Sequence, residues 1–387
     1  MNIINSKKEL ERLLTVNPQI NVYGAGAVFE KCITAFITLG YNYNILNNIY
    51  VTSLENNPSE IKGIKIKEYN KDEYEYQCIM LLAVGKNYLS ELNLKLEKDN
   101  VITFCISDDA IAEIAYYDTY KTMQEFISKY ATIESRYNVP VSDGEKYAWT
   151  CWWQGEENAP DIVKACLNSQ RMNLPADVKN IIITEKNYKN YIDIPDYIID
   201  KVNKGYITIT TLSDIIRASL LYKYGGIWID STVLVHKKMP IEYWDYNIFS
   251  AKGLDYHFSS YSHLSLWFLG GKNGNQLFRF VMEAFYYYYK KYDFIKYYLT
   301  VDYFLAIAIN SIDEVKKDVQ NIPINNEKGD MLGLFLADQY CFETFEKYTD
   351  NTCIQKLTRK LERYGKKLIN KDNFYHMILN KYILSDH

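Results

Sequence analysis

SDIIRASLLYKYGGIWIDSTVLV, residues 213–235, orders the whole chain. Its first half carries apolar residues at helical spacing, and Ser213 stands where a hydroxyl would cap the free N–H groups at a helix start. After Tyr224, the pair Gly225 and Gly226 stops that helix. Ile227, Trp228 and Ile229 form a short apolar run of strand type, so Asp230 falls at the strand's end and Thr232 two residues beyond. Asp214 and Arg217 are three apart and share a helix face. A carboxylate beside a guanidinium suits a polyhydroxylated or phosphorylated ligand, because Arg donates in a rigid fork while Asp accepts from hydroxyls. Spacing by itself favours a plainer reading, a salt bridge on a solvated helix face.

The stretch resembles the signature of glycosyltransferase family 32 and its bacterial capsular polysaccharide synthesis relatives. There a Ser-Asp-x-x-Arg helix, a Tyr-Gly-Gly turn and a strand ending in Asp-x-Asp or a related motif form a sugar-nucleotide site. The glucosylating clostridial toxins resemble it more distantly. Matching positions are Ser213, Asp214, Arg217, Tyr224, Gly225, Gly226, Asp230 and Thr232. The departure is Thr232, where the family pattern has its second acidic residue.

What this resemblance implies is an α/β chain ending in a nucleotide-diphospho-sugar transferase domain of the GT-A type. It implies transfer of a hexose from a nucleoside diphosphate sugar, UDP-linked by family, to a saccharide or lipid-linked saccharide of a bacterial capsule or surface polysaccharide. Retention of the donor's anomeric configuration is implied too, and no second catalytic carboxylate stands out. Asp214 would accept from sugar hydroxyls and Arg217 would donate to the sugar or diphosphate, with Gly225 and Gly226 turning the backbone beside the donor. Asp230 would ligate Mn2+ or Mg2+, hard cations that take oxygen ligands, and Thr232 would add a hydroxyl or hold a coordinated water. Trp152 matches the tryptophan of a Trp-Ile-Gly-Gly step in the toxins, which implies a uracil platform. The alternative for Trp152 and Trp153 is a place in the core.

Composition bounds these readings. A chain of 387 residues, 48% apolar, accommodates two domains with substantial cores. The formal charge of −4, with no long basic block, argues against nucleic acid as the partner. No apolar run is long enough to cross a bilayer and MNIINSKKELERLL lacks a signal peptide's apolar core, so a cytoplasmic protein is expected; the lipid-linked acceptors of the family it resembles make the inner face of the membrane one option within that compartment. Seven cysteines without a C-x-x-C pair fit neither a disulfide framework nor a zinc site. The 37 tyrosines reflect a low-GC genome, which weakens any single tyrosine as functional evidence.

Ahead of the central stretch, INVYGAG and FEKCITAFITLG read as strand, glycine turn and helix, the opening of a dinucleotide-binding unit. Phe29 replaces the third glycine of the fingerprint and the strand-end acid is missing, so a nicotinamide cofactor is not expected. Strands at Ile49 to Thr52, in NPSEIKGIKI, QCIMLLAVGK and NVITFCI, continue a small parallel sheet to about Ile114. More faintly, this order resembles the Rossmann-like N-terminal domain of bacterial sugar O-acetyltransferases. A docking domain with a vestigial loop is the other reading.

The expected organisation is therefore a Rossmann-like domain over 1–115, a helical connector over 116–142 and the transferase domain over 143–387. Within the last, VKNIIIT, YITITT, NIFSAKGL and LSLWFLGGK read as strands, and DIVKACLNSQRM and NYIDIPDYIIDKVNKG as helices. The tyrosine-rich stretch FRFVMEAFYYYYKKYDFIKYYLTVDYFLAIAI reads as one or two helices. Tyr and Lys there also suit a headgroup boundary, which makes peripheral membrane association the competing reading to a core helix. Resemblance extends to KLTRK, but Lys356 and Arg359 default to a solvated basic face. His236, His257, His263, His376 and His387 form no metal-ligand pair and are expected at the surface or in loops. A different class, a non-catalytic sugar-nucleotide-binding or assembly protein of a capsule system, predicts no donor hydrolysis.

Overall fold

Short β-branched runs alternating with helices favour parallel strands joined by crossovers. The computed structural model shows this in two units, Met1–Thr122 and Met123–His387. It describes residues 1–387 except 75–77, 138, 140–143, 254–260 and 384–387. The expected domain start at 143, with His257 and His387, lies outside the described residues.

In the first unit the strands are β1 (Asn2–Ile4), β2 (Ile20–Tyr23), β3 (Leu46–Val51), β4 (Glu60–Ile61), β5 (Ile64–Glu68), β6 (Met80–Leu82) and β7 (Thr103–Ile106). Their order is β1-β7-β6-β2-β3-β5-β4, parallel except for the β4–β5 hairpin. The strand NII at the start precedes the polar helix that the sequence suggests, which spans Lys7–Val16. Ile114 does not end the sheet; it lies buried in the helix Asp108–Lys129, which begins before the expected connector. Gly24 takes φ +112°, and a Cβ there would lie 2.4 Å from the Ala83 carbonyl oxygen. Packing of β2 against the β6 turn thus requires this glycine without reference to a ligand.

The second unit holds β8 (Lys146–Cys151), β9 (Val178–Ile183), β10 (Gly226–Ile229), β11 (Val233–Val235), β12 (Ile248–Ser250), β13 (Phe268–Gly271) and β14 (Ile354–Lys356). One sheet has the order β12-β13-β10-β8-β9, with β8, β9 and β10 parallel and β12 and β13 antiparallel. A separate antiparallel pair joins β11 to β14. The tyrosine-rich stretch forms two helices, Gln276–Lys291 and Thr300–Ser311. The first buries Phe278, Phe280, Val281, Phe285, Tyr286 and Tyr289 in the unit's own interior. No helix among the described residues is long and apolar enough to cross a membrane.

Three local expectations are corrected. YITITT is not a strand: Thr208 caps the helix Ile209–Tyr224, its hydroxyl accepting from the Thr211 N–H at 3.2 Å. Alternating Thr and Ile imitates strand periodicity, but a Thr at the cap satisfies a helix start. Ser213 is therefore inside the helix and does not cap it. His236, expected at the surface or in a loop, does lie in the loop that follows β11, but it is buried there against Phe345, and burial pushes its pKa down to about 3.

Candidate active site

The parallel strands β8 and β10 end side by side, and at such carboxyl ends the chain leaves the sheet and opens a crevice. Asp230 follows β10, while Trp152 and Trp153 follow β8. The helix Ile209–Tyr224 presents Ser213, Asp214 and Arg217 to the same crevice. With Trp228, Thr232 and the segment 356–360 they line a cavity of about 430 Å³.

An alternating chain of charges crosses its floor. Arg217 donates to Asp214 Oδ1 at 2.9 Å and, from its other terminal nitrogen, to Asp230 Oδ1 at 3.3 Å. Trp228 stands below: its indole N–H donates to Asp230 Oδ1 at 2.8 Å, and the guanidinium lies 4.8 Å from its ring centre. On the far side Lys356 Nζ donates to Asp230 Oδ2 at 2.7 Å and to Thr232 Oγ1 at 2.8 Å. The Asp214 and Arg217 side chains are only 14% and 8% exposed. This is not the solvated salt bridge that spacing alone favours.

Environment separates the two carboxylates. Burial, opposed by the Arg217 charge and aided by the Asp230 charge, raises Asp214 to about 6. Burial also works to raise Asp230, but the charges of Lys356 and Arg217 and the hydrogen bonds from Lys356 and Trp228 outweigh it and hold the group at about 2. Asp230 is thus a fixed anion, whereas Asp214 titrates near neutral pH.

Tyr224, Gly225 and Gly226 do not reach this cavity. They sit at the opposite end of β10, roughly 13 Å from Asp230 for a four-residue strand. Tyr224 donates its hydroxyl hydrogen to the Tyr191 carbonyl, and the Gly225 carbonyl accepts from the Trp149 indole. Gly226 takes φ +92°, where a Cβ would lie 2.4 Å from the Tyr147 carbonyl oxygen. These residues set the approach of β10 to β8.

Trp152 borders the cavity with Arg359 5.8 Å from its ring centre, and it also packs against a core cluster that includes Ile162 and Leu357. Trp153 packs against Tyr188, the ring centres 5.3 Å apart and the planes tilted by 37°. Lys356 lines the cavity half-buried, which corrects the default of a solvated basic face for that residue, whereas Arg359 and Lys360 border the cavity and stay exposed. Their signal in the sequence was only the resemblance at KLTRK. Tyr298 lacked even that, and Trp228, inside the resembling stretch, reads only as a strand residue.

The donor set does not fit a resident Mn2+ or Mg2+. Asp230 and Thr232, the residues expected to hold it, both engage the Lys356 ammonium, and Arg217 and Trp228 take the remaining carboxylate oxygen. Among the described residues no group of three His, Cys, Asp or Glu side chains converges as metal ligands.

A family model described as "Capsular polysaccharide synthesis protein" matches residues 100–378. The solved structure titled "PaToxG Glycosyltransferase" is similar over 61% of this chain and 93% of that one, at 15% sequence identity and a TM-score of 0.31. No curated protein matches.

Proposed function

We propose that this chain, which belongs to the capsular polysaccharide synthesis protein family, is a glycosyltransferase that moves a hexose from a nucleoside diphosphate sugar to a saccharide or lipid-linked saccharide acceptor. The observation that carries the proposal is the Asp214–Arg217–Asp230–Lys356 chain of charges at the floor of a cavity bordered by Trp152. Four cations, Arg217, Lys356, Arg359 and Lys360, line it against two carboxylates, Asp214 and Asp230. That surplus suits a diphosphate, and a buried carboxylate beside it suits sugar hydroxyls.

In the reaction the bond from the anomeric carbon to the diphosphate oxygen breaks, leaving its electron pair on the diphosphate. The acceptor oxygen bonds to that carbon on the same face, and its proton passes to the departing diphosphate. The carbon passes through an oxocarbenium-like state, so groups that stabilise the growing charge on the leaving group lower the barrier. Asp214 orients the sugar, Arg217 holds Asp214 and Asp230 in register, and Trp152 stacks on a uracil base. UDP as the nucleotide, retention and work at the inner membrane face rest on the resemblance of residues 213–235.

The test incubates purified protein with a panel of UDP-, GDP- and dTDP-sugars and measures nucleoside diphosphate release. Release from one donor class, abolished in Asp230→Asn, is expected. Absence of release from every donor, with or without oligosaccharide acceptors, would refute the transferase reading and favour a binding protein.

A further inference from the structure

We propose that Lys356 is the cation of this site, an ammonium built into the chain that meets the donor's diphosphate in place of a divalent ion. The inference rests on the sugar-nucleotide reading above and concerns what neutralises the leaving group.

Position is the first argument. Lys356 Nζ lies 2.7 Å from Asp230 Oδ2 and 2.8 Å from Thr232 Oγ1, bridging the two residues at which a divalent ion was expected. A divalent ion bonded to both oxygens at roughly 2.1 Å would crowd the ammonium into direct like-charge contact. Strand pairing, not a mobile loop, sets this position. In the β11–β14 ladder Val233 is opposite Lys356, and the Leu357 N–H donates to the Thr232 carbonyl at 2.8 Å.

Valence is the second. An ammonium has three donors and no acceptor, so the bonds to Asp230 and Thr232 leave one N–H for a phosphate oxygen. The Lys356 side chain is 27% exposed and lines the cavity, so a ligand reaches it.

The third is the departure at position 232. A carboxylate there would join Asp230 in neutralising Lys356. A hydroxyl orients the ammonium and leaves its charge available. The residue that weakens a metal site is the one that an internal cation requires. As the anomeric bond breaks and negative charge gathers on the diphosphate, Lys356 supplies electrostatic stabilisation and gives up no proton.

The experiment titrates UDP and GDP by calorimetry into the full chain, once in EDTA and once in Mn2+, and titrates Mn2+ alone without nucleotide. For the natural sequence, nucleotide affinity is expected to agree within about threefold between the two conditions, and Mn2+ alone gives no saturable heat. Lys356→Met should weaken nucleotide binding in EDTA by at least about tenfold, as loss of a charge-assisted bond does, while Lys356→Arg loses less. With the ammonium gone, Mn2+ should bind Lys356→Met at Asp230 and recover part of the affinity. Nucleotide binding by the natural chain that collapses in EDTA, or saturable Mn2+ binding to it without nucleotide, overturns the role of Lys356 and leaves the transferase reading standing. Failure of both nucleotides to bind in either condition overturns both. Should Lys356→Met not fold, the arms on the natural chain still decide.

Discussion

Replacing Asp230 by Asn removes the anion on which three donors converge, and the cost follows from its titration. The folded carboxyl is held at about 2 against an ordinary 3.8, a gap worth about 2.5 kcal/mol once the group is ionised in both states. Because the folded pKa is the lower one, this contribution is complete above the ordinary value and is lost as pH falls through the folded one. About half of it remains at pH 3 and nearly all at pH 5. Asp230→Asn should therefore be about 2–3 kcal/mol less stable at pH 7 in urea unfolding, with Tm lower by about 3–6 °C. The deficit should shrink toward pH 3, since acid removes from the natural chain the charge that the variant already lacks. Donor turnover should fall at least about a hundredfold, comparable to deleting an electrostatic stabiliser of a transition state. Equal stability of the two proteins at pH 7, or a deficit that does not narrow in acid, would show that Asp230 is not coupled to Arg217 and Lys356 as described.

Asp214, raised to about 6, accepts most strongly from sugar hydroxyls when ionised, so kcat/KM should rise with pH through about 6, and Asp214→Asn should flatten that limb in a pH–rate profile. Its linkage to stability has the opposite sign to that of Asp230: between about 4 and 6 the folded state holds a proton that the unfolded state has lost, so its contribution falls as pH rises. Gly226→Ala should cost about 2–3 kcal/mol by thermal denaturation, because it adds a Cβ at φ +92° against the Tyr147 carbonyl, although the residue lies far from the cavity. Trp152→Ala should weaken UDP binding by roughly 5- to 100-fold in calorimetry if the ring carries the base. Unchanged affinity with lowered Tm would assign Trp152 to the core alone.

The sequence by itself determined the local elements. Ile227 to Ile229 after a double glycine could only be a short buried strand, and it is β10; INVY before GAG is β2, and the helix Ala27–Thr38 follows. Asp214 and Arg217 were fixed as neighbours because helix geometry brings residues three apart onto one face. Where two local codes overlapped, the sequence misled, as at YITITT, since alternating β-branched residues read as a strand until the Thr208 cap is seen to start a helix.

Only the tertiary structure decided what surrounds Asp230. Lys356 lies 126 positions along the chain and enters the site because β14 pairs with β11, a long-range register that no local periodicity encodes. The same holds for burial: a three-residue spacing describes an exposed salt bridge as well as a desolvated one, and the packing of Trp228 beneath Arg217 makes this one desolvated. Glycines 225 and 226 show the converse. Their motif is plain in the sequence, but contact with the Tyr147 carbonyl and the turn after β13 shows that these residues are needed where strands meet, at the end of β10 away from the cavity. Local geometry is written in neighbouring residues, whereas charge neutralisation depends on which distant side chains the strand register delivers.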